Sequence, residues 1–441
     1  MCLACSSSVK KMDETLIQEI NKSLTSELLN VWYPTTIDST YGGFLSDFTY
    51  DWRPDGRQNK MIVTQTRHVW TCANAALFFK DDRYRSIAEH GFNFLKTKMW
   101  DDTYGGFYTY RNQQGLPIEQ PFTDGKMAYG NAFAIYALAA YFELTDDSTA
   151  LSLAKDTFYW LEKHSHDPVE KGYMNDMSRD GTWLSNLPSV PKNPRYRPIH
   201  WKDQNSSIHL LEAFSELYRV WPDSLLHERL VEMLTLIRDR IVTEKGYLTL
   251  FMEKDWTPVS FAGSSEAERQ ATFYFDHISF GHDVETAYLM LEACHVLGQH
   301  SESKTLTIAK KMVDHALKYG WDKTYGGFFD GGYYPEKSDS VVIVNDAKVW
   351  WVQADGLNAL LLMSKLFPKE QRYRQAFLAQ WDYINQQLID HVFGGWYYEG
   401  LDITPNARKA PKASDWKVNY HNTRALMNCI KMLRSEHELI Q

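Results

Sequence analysis

The chain has 441 residues, 44% of them hydrophobic, and a net charge of -9 with both signs scattered along its length. That length suits two or three ordinary domains or one large repetitive one. No basic run argues for a nucleic-acid partner, and no apolar run is long enough to span a bilayer.

The first residues, 1–12, read as a disordered tail ahead of a single catalytic domain over 13–441. In that tail Cys2-Leu3-Ala4-Cys5, followed by Ser6-Ser7-Ser8, resembles the end of a bacterial lipoprotein signal. The charged start and apolar core of such a signal are missing, so the expected location is the cytoplasm. A periplasmic or membrane-tethered lipoprotein is the alternative if Cys5 is a lipidation site in a longer precursor. Cys72, Cys294 and Cys429 sit in apolar helical contexts and read as buried thiols, and no spaced zinc site is visible.

Beyond the tail a short pattern recurs. It is Tyr41-Gly42-Gly43-Phe44, then Tyr104-Gly105-Gly106-Phe107, with degenerate copies at Lys171-Gly172-Tyr173 and Lys245-Gly246-Tyr247. The full form returns at Tyr325-Gly326-Gly327-Phe328 and Phe393-Gly394-Gly395-Trp396. Paired glycines between aromatics predict short β-hairpin turns. Each turn leads to an apolar helical stretch: Val63–Phe79, Gly130–Leu144, Ser206–Val220, Asp283–Leu297, Trp350–Phe367 and Tyr420–Leu433. More polar helical stretches lie between them: Arg83–Lys98, Ser148–Lys163, Ser224–Val242, Ser303–Tyr319 and Gln371–Ile389, with Asp13–Trp32 supplying the first.

A helix apolar all round must be buried on every side. Six such helices with six amphipathic partners predict an all-α fold, an (α/α)6 barrel with hairpin turns; an open α-solenoid is the runner-up. The inner helices of such a ring all point one way. Their starts, and the Pro-rich loop Leu187–Arg197, therefore gather on one face.

The residues at those starts carry chemistry. They are Arg67 in the first, Tyr129 and Asn131 in the second, Asn205 and His209 in the third, and His282 with Glu285 in the fourth. Trp350, Trp351 and Asp355 begin the fifth; Trp416, His421 and Arg424 belong to the sixth. Singly each has a plain packing or capping explanation. Together they place imidazoles, a guanidinium, carboxylates and indoles at one mouth. The 15 Trp and 26 Tyr of the chain suit stacking on a sugar, as they also suit helix packing.

Two imidazoles across a pocket can take a proton from one face of a carbon and return it to the other, which is epimerisation or isomerisation through an enediolate. Glycoside hydrolysis is the competing reading, with Asp283, Glu285 and Asp355 as candidate carboxylates, but it leaves the paired histidines without work. A metal-dependent isomerase using His282, Glu285 and His421 as ligands, and a non-catalytic sugar-binding module, are further alternatives.

The runs Gly281-His282-Asp283-Val284-Glu285, Trp350-Trp351-Val352-Gln353-Ala354 and Tyr420-His421-Asn422-Thr423-Arg424 resemble the N-acylglucosamine 2-epimerase superfamily, and within it the cellobiose 2-epimerases most. Tyr129-Gly130-Asn131-Ala132-Phe133 and the segment Asn205–Ala213 resemble it too. The resemblance implies an (α/α)6 barrel, no redox cofactor, and proton transfer at C2 of a reducing-end sugar after ring opening; no other cofactor and no metal are expected. It implies that His421 takes the proton and His282 returns it, the order depending on the direction of the reaction, with Glu285 beside the second histidine. It further implies that Arg67 and His209 steady the enediolate, and that the sugar lies against Trp351. The chain differs from the pattern at Ser207, Tyr288 and Asp355, where the family usually has His, Trp and Glu. A small saccharide is the expected partner, and the protein is expected as a monomer or homodimer.

Overall fold

The computed structural model describes residues 2–118, 124–186, 200–299 and 303–434. Among the described residues, long helices alternate between two roles. The outer helices are α1 (Cys2–Lys22), α3 (Asp82–Phe94), α5 (Ser148–His164), α7 (Ser224–Leu236), α9 (Ser303–Tyr319) and α11 (Gln371–Tyr383). The inner helices are α2 (Ile62–Phe79), α4 (Ala128–Thr145), α6 (Gln204–Val220), α8 (Phe280–Val296), α10 (Trp350–Leu366) and α12 (Tyr420–Arg434). Polar residues on one face leave the outer helices half exposed, whereas α4 buries nearly every side chain it has.

Each inner helix packs on the next around the ring, and α12 packs back on α2. That last contact closes the (α/α)6 barrel and distinguishes it from a solenoid. Each outer helix packs on an inner one, with α1 against α12.

All six predicted turns form. The antiparallel bridges are Ile37↔Phe44, Trp100↔Phe107, His166↔Tyr173, Val242↔Leu248, Trp321↔Phe328 and Ile389↔Trp396. Both glycines of Gly42-Gly43 are left-handed, at φ 85° and 67°, where a Cβ costs roughly 1–2 kcal/mol. The degenerate third turn accepts that conformation at Lys171, φ 67°.

The starts of the inner helices are tied to the neighbouring unit. Strand β1 (Lys60–Met61) pairs with β2 (Tyr110–Arg111), β3 (Lys126–Met127) with β4 (Asp176–Met177), and β5 (Lys202–Asp203) with β6 (Phe251–Met252). β7 (Ile278–Ser279) pairs with β8 (Gly331–Tyr333), which also pairs with β9 (Val342–Asn345). The bridge Val349↔Glu399 continues the series and Phe48↔Ala413 closes it. An uncapped helix leaves its first N–H groups unpaired. Here the first N–H of α2, α4, α6, α8 and α10 is donated to Thr109, Asn175, Leu250, Asp330 and Tyr398 carbonyls of the following unit.

Buried lysines hold the hairpins from beneath. Lys60 pairs with Asp38 at 2.9 Å, Lys126 with Asp101 at 3.0 Å, Lys202 with Asp167 at 3.3 Å, Lys348 with Asp322 at 2.6 Å and Lys412 with Asp390 at 2.5 Å. Each ammonium also donates to a carbonyl in the same turn. The fourth unit has Thr243 in the acidic place and Ile278 in the basic one, so both charges are absent together. That is sensible, because a lone buried charge costs several kcal/mol, about 3–5 when a partner is removed.

Two sequence expectations shift. Residues 1–12 were expected as a disordered tail, yet α1 runs from Cys2; nothing between Cys2 and Lys22 is Gly or Pro, so no residue stops the backbone from continuing as helix. The inner helices α2, α4, α6 and α8 start one to three residues earlier than the apolar runs, directly after the short strands that pair with the following unit. The Leu187–Arg197 loop lies outside the described residues. Cys72, Cys294 and Cys429 are buried as expected.

Candidate active site

The second and sixth residues of the inner helices stand one turn apart on a shared face. At the second position are Tyr129, Asn205, Trp351 and His421; at the sixth are Arg67, His209, Glu285 and Asp355. In α8 the second position is Gly281, where a Cβ would lie 2.7 Å from the Trp351 indole. The glycine thus admits the indole, and His282 takes up the role one residue later.

A cavity of about 220 Å³ opens there, lined by Arg67, Tyr129, Asn205, His209, His282, Glu285, Trp350, Trp351, Tyr398, Trp416 and His421. Trp416 is 49% exposed and stands at the rim. Of the other sequence-predicted residues, Asp355 and Arg424 lie behind the wall. Asn131 faces elsewhere: its Oδ1 accepts from the Phe107 N–H at 2.8 Å and its Nδ2 donates to the Met127 carbonyl. It pins a hairpin, as do Gln65 at Phe44 and Gln353 at Phe328. Asp283 has the same post, accepting from the Leu248 N–H, and burial raises its carboxyl well above the usual range. Ser207, where the family pattern has His, bonds back to the Asp203 carbonyl and does not line the cavity.

Behind the wall, Arg424 gathers three carboxylates: Glu212, Glu285 at 2.6 Å and Asp355 at 2.7 Å. Tyr420 donates to Glu212 as well. Burial pushes the Glu212 carboxyl up, but Arg424 and His209 outweigh it and hold it down at about 2. Glu212 then accepts from Nδ1 of His209 at 2.8 Å. Asp355 places its second oxygen 2.7 Å from Nδ1 of His421. An ionised carboxylate can only accept, so Nδ1 carries the hydrogen and Nε2 is left as the lone-pair nitrogen. Burial holds His421 well below its ordinary pKa against the opposing pull of Glu285, so the ring is a neutral base.

His282 is likewise neutral, lowered by burial to about 3. Glu285 was expected beside it. Instead Glu285 lies 3.7 Å from Nδ1 of His421, and Ser279 Oγ stands 2.7 Å from Nδ1 of His282. The two imidazoles pack against one indole, Trp351, with centroids 4.7 Å and 5.7 Å away. Arg67 donates to the Trp416 carbonyl and the Tyr129 hydroxyl and stacks over Phe133; its Nε is buried without a partner. The second oxygen of Glu285 is also buried and unpartnered, an acceptor available to a ligand hydroxyl.

The alternatives lose ground on this geometry. Glu285 and Asp355 share one guanidinium instead of flanking a gap, and Asp283 points away from the cavity. Glu285, Asp355 and His421 bring ligand atoms within 4.8 Å of one another, but the Arg424 guanidinium already supplies the cation to both carboxylates. Tyr398, Ser279, Glu212 and Tyr420 were not picked out as site residues from sequence. Tyr398 lies in the irregular segment between the bridges at Trp396 and Glu399, away from any helix start.

Residues 42–425 match the family model described as N-acylglucosamine 2-epimerase (GlcNAc 2-epimerase). A cellobiose 2-epimerase of Bacteroides fragilis is 28% identical over 423 residues, covering 96% of this chain and 100% of that protein. A D-mannose isomerase of Marinomonas mediterranea is 26% identical over 416 residues, covering 91% and 94%. The solved cellobiose 2-epimerase of Bacillus thermoamylovorans B4167 superposes with a TM-score of 0.82 at 25% identity, covering 95% of this chain and 99% of that one. With the barrel and a family match running from the first turn to the last inner helix, the chain belongs to the N-acylglucosamine 2-epimerase family and is an isomerase of the sugar-epimerase kind.

Proposed function

We propose that the protein epimerises C2 of a reducing-end aldose, with a cellobiose- or mannobiose-like disaccharide as substrate class and an N-acylglucosamine as the alternative. The observation that carries this is the pair of neutral imidazoles, His282 and His421, against one Trp351 indole in a single cavity. A cavity of about 220 Å³ leaves room for one hexose unit. A second ring would then lie at the rim by Trp416, whose exposed indole offers a stacking face.

In the open-chain aldose, Nε2 of His421 takes the C2 proton and the electron pair passes to the enediolate. Arg67, which has no carboxylate partner among the described ion pairs, and His209 face the oxygens that gain charge. His282, after taking a proton at Nε2 from solvent water, delivers it to the opposite face of C2. The free oxygen of Glu285 accepts a sugar hydroxyl. A cytoplasmic setting suits the buried thiols of Cys72, Cys294 and Cys429. The likeness to a D-mannose isomerase favours one second reading, ketose formation from the same enediolate by protonation at C1.

The test is incubation in D₂O with cellobiose, mannobiose, N-acetylglucosamine and free mannose in turn, followed by NMR at C2. Deuterium at C2 together with a new epimer is the expected result. A ketose product moves the assignment to isomerase, and cleavage to monosaccharides would sink it.

A further inference from the structure

Each histidine lining the cavity has Nδ1 already engaged, and the partners are not alike. His209 faces Glu212 at 2.8 Å and His421 faces Asp355 at 2.7 Å, both carboxylates. His282 faces the Ser279 hydroxyl at 2.7 Å. Ser279 is the last residue of β7, directly ahead of α8, and is 4% exposed. Its register opposite Gly331 of β8 fixes the backbone, and the Trp351 indole, with its centroid 4.7 Å from that of His282, fixes the ring. The carboxylates near this ring are committed elsewhere. Glu285, on the same helix, turns to Arg424 and His421, and Asp283 turns to Leu248. The titratable groups that weigh on His282 are His209, His277 and His421, and all three oppose a second proton.

We propose that Ser279 is a positioning residue for proton transfer: its hydroxyl holds Nδ1 of His282, turns Nε2 toward C2, and withholds the charge that a carboxylate would place there. The inference rests on the reading of His282 and His421 as the acid–base pair. A carboxylate behind an imidazole strengthens its hold on a proton; a hydroxyl oxygen accepts from Nδ1–H without adding charge. His421 therefore keeps the proton it takes, whereas His282, neutral at rest, first takes a second proton at Nε2 from solvent water and then releases it readily. In the return step the Nε2–H bond of His282 breaks and the C2–H bond forms. The ring is left neutral with Nδ1–H still on Ser279.

The test compares Ser279→Ala, Ser279→Thr and Ser279→Asp with His282→Ala, on whichever sugar the D₂O experiment identifies. It reads kcat, KM, deuterium entry at C2 and the pH profile of kcat/KM. Ser279→Ala is expected to lower kcat by about tenfold or more with KM within about twofold, and deuterium entry should fall in step. Ser279→Thr keeps the hydroxyl and is expected to stay within about threefold of the parent. Ser279→Asp is expected to move the pH profile upward, since its carboxylate raises the basicity of the ring. Parent-level turnover in Ser279→Ala, a Thr variant as slow as the Ala variant, or an unmoved profile in Ser279→Asp would overturn the inference. Parent-level turnover in His282→Ala would instead overturn the acid–base pair beneath it.

Discussion

Asp355 has one oxygen on Arg424 and the other on Nδ1 of His421, so its ionisation decides which ring nitrogen carries the hydrogen. Burial raises this carboxyl, against the pull of Arg424, to about 6. Above that pH Asp355 is ionised and Nε2 is a base. Below it the protonated carboxyl donates to Nδ1, the hydrogen of neutral His421 moves to Nε2, and the lone pair that the proposed proton transfer at C2 requires is lost. The rate should fall as pH drops through about 6, measured as kcat/KM over pH 4.5–8. Asp355→Asn should lower kcat on the order of 10²–10⁴-fold at all pH values and abolish that limb. A limb that survives in Asp355→Asn would assign it to another group. Asp is one methylene shorter than the family's usual Glu, yet it still reaches both partners.

At the scale of the element, the rotation of a helix about its own axis decides which residues meet the substrate. That His282, His421, Arg67 and His209 line one cavity was legible because the repeat brings several titratable side chains at equivalent helix starts to one mouth, although each singly has a structural explanation. The barrel itself was legible from the six glycine turns and the two kinds of helix. Tyr129 and Asn131, however, are two residues apart and point to different sides of α4, one to the cavity and one to the Phe107 hairpin. An amphipathic stripe would reveal the rotation, but α4 is apolar on every side and carries none. The lysine–aspartate pairs stayed hidden for another reason: partners 22 to 35 residues apart, such as Lys60–Asp38 and Lys202–Asp167, have no local spacing rule. Asn131→Ala should cost about 1–3 kcal/mol in stability, because the buried Phe107 N–H loses its acceptor, and should leave KM unchanged. Urea unfolding and steady-state kinetics check this. A raised KM at parent stability would restore Asn131 to the substrate.

Across the whole molecule, the contact of α12 with α2 makes every unit a neighbour of two others. A ring without free ends should lose its structure together. Leu210 in α6 and Leu360 in α10 are both fully buried, on opposite sides of the sequence midpoint. Leu210→Ala and Leu360→Ala should each lower the stability of the entire molecule by about 2–5 kcal/mol, seen as one urea transition coincident by circular dichroism and tryptophan fluorescence. Two separated transitions in either variant would show halves that fold alone. The stitching of each inner-helix start to the strand of the next unit bears on how such a protein could be recombined with its relatives. A chimaera cut between a hairpin and its own inner helix would keep two helices intact and yet leave the graft joined to a foreign partner at the mouth. Cuts in the exposed connections after the inner helices, such as Lys80 or Asp146, exchange blocks that still take the mouth strand of one unit from the next. The natural parcel for exchange is therefore a pair of successive units, because a lone one arrives with its most consequential seam unmatched.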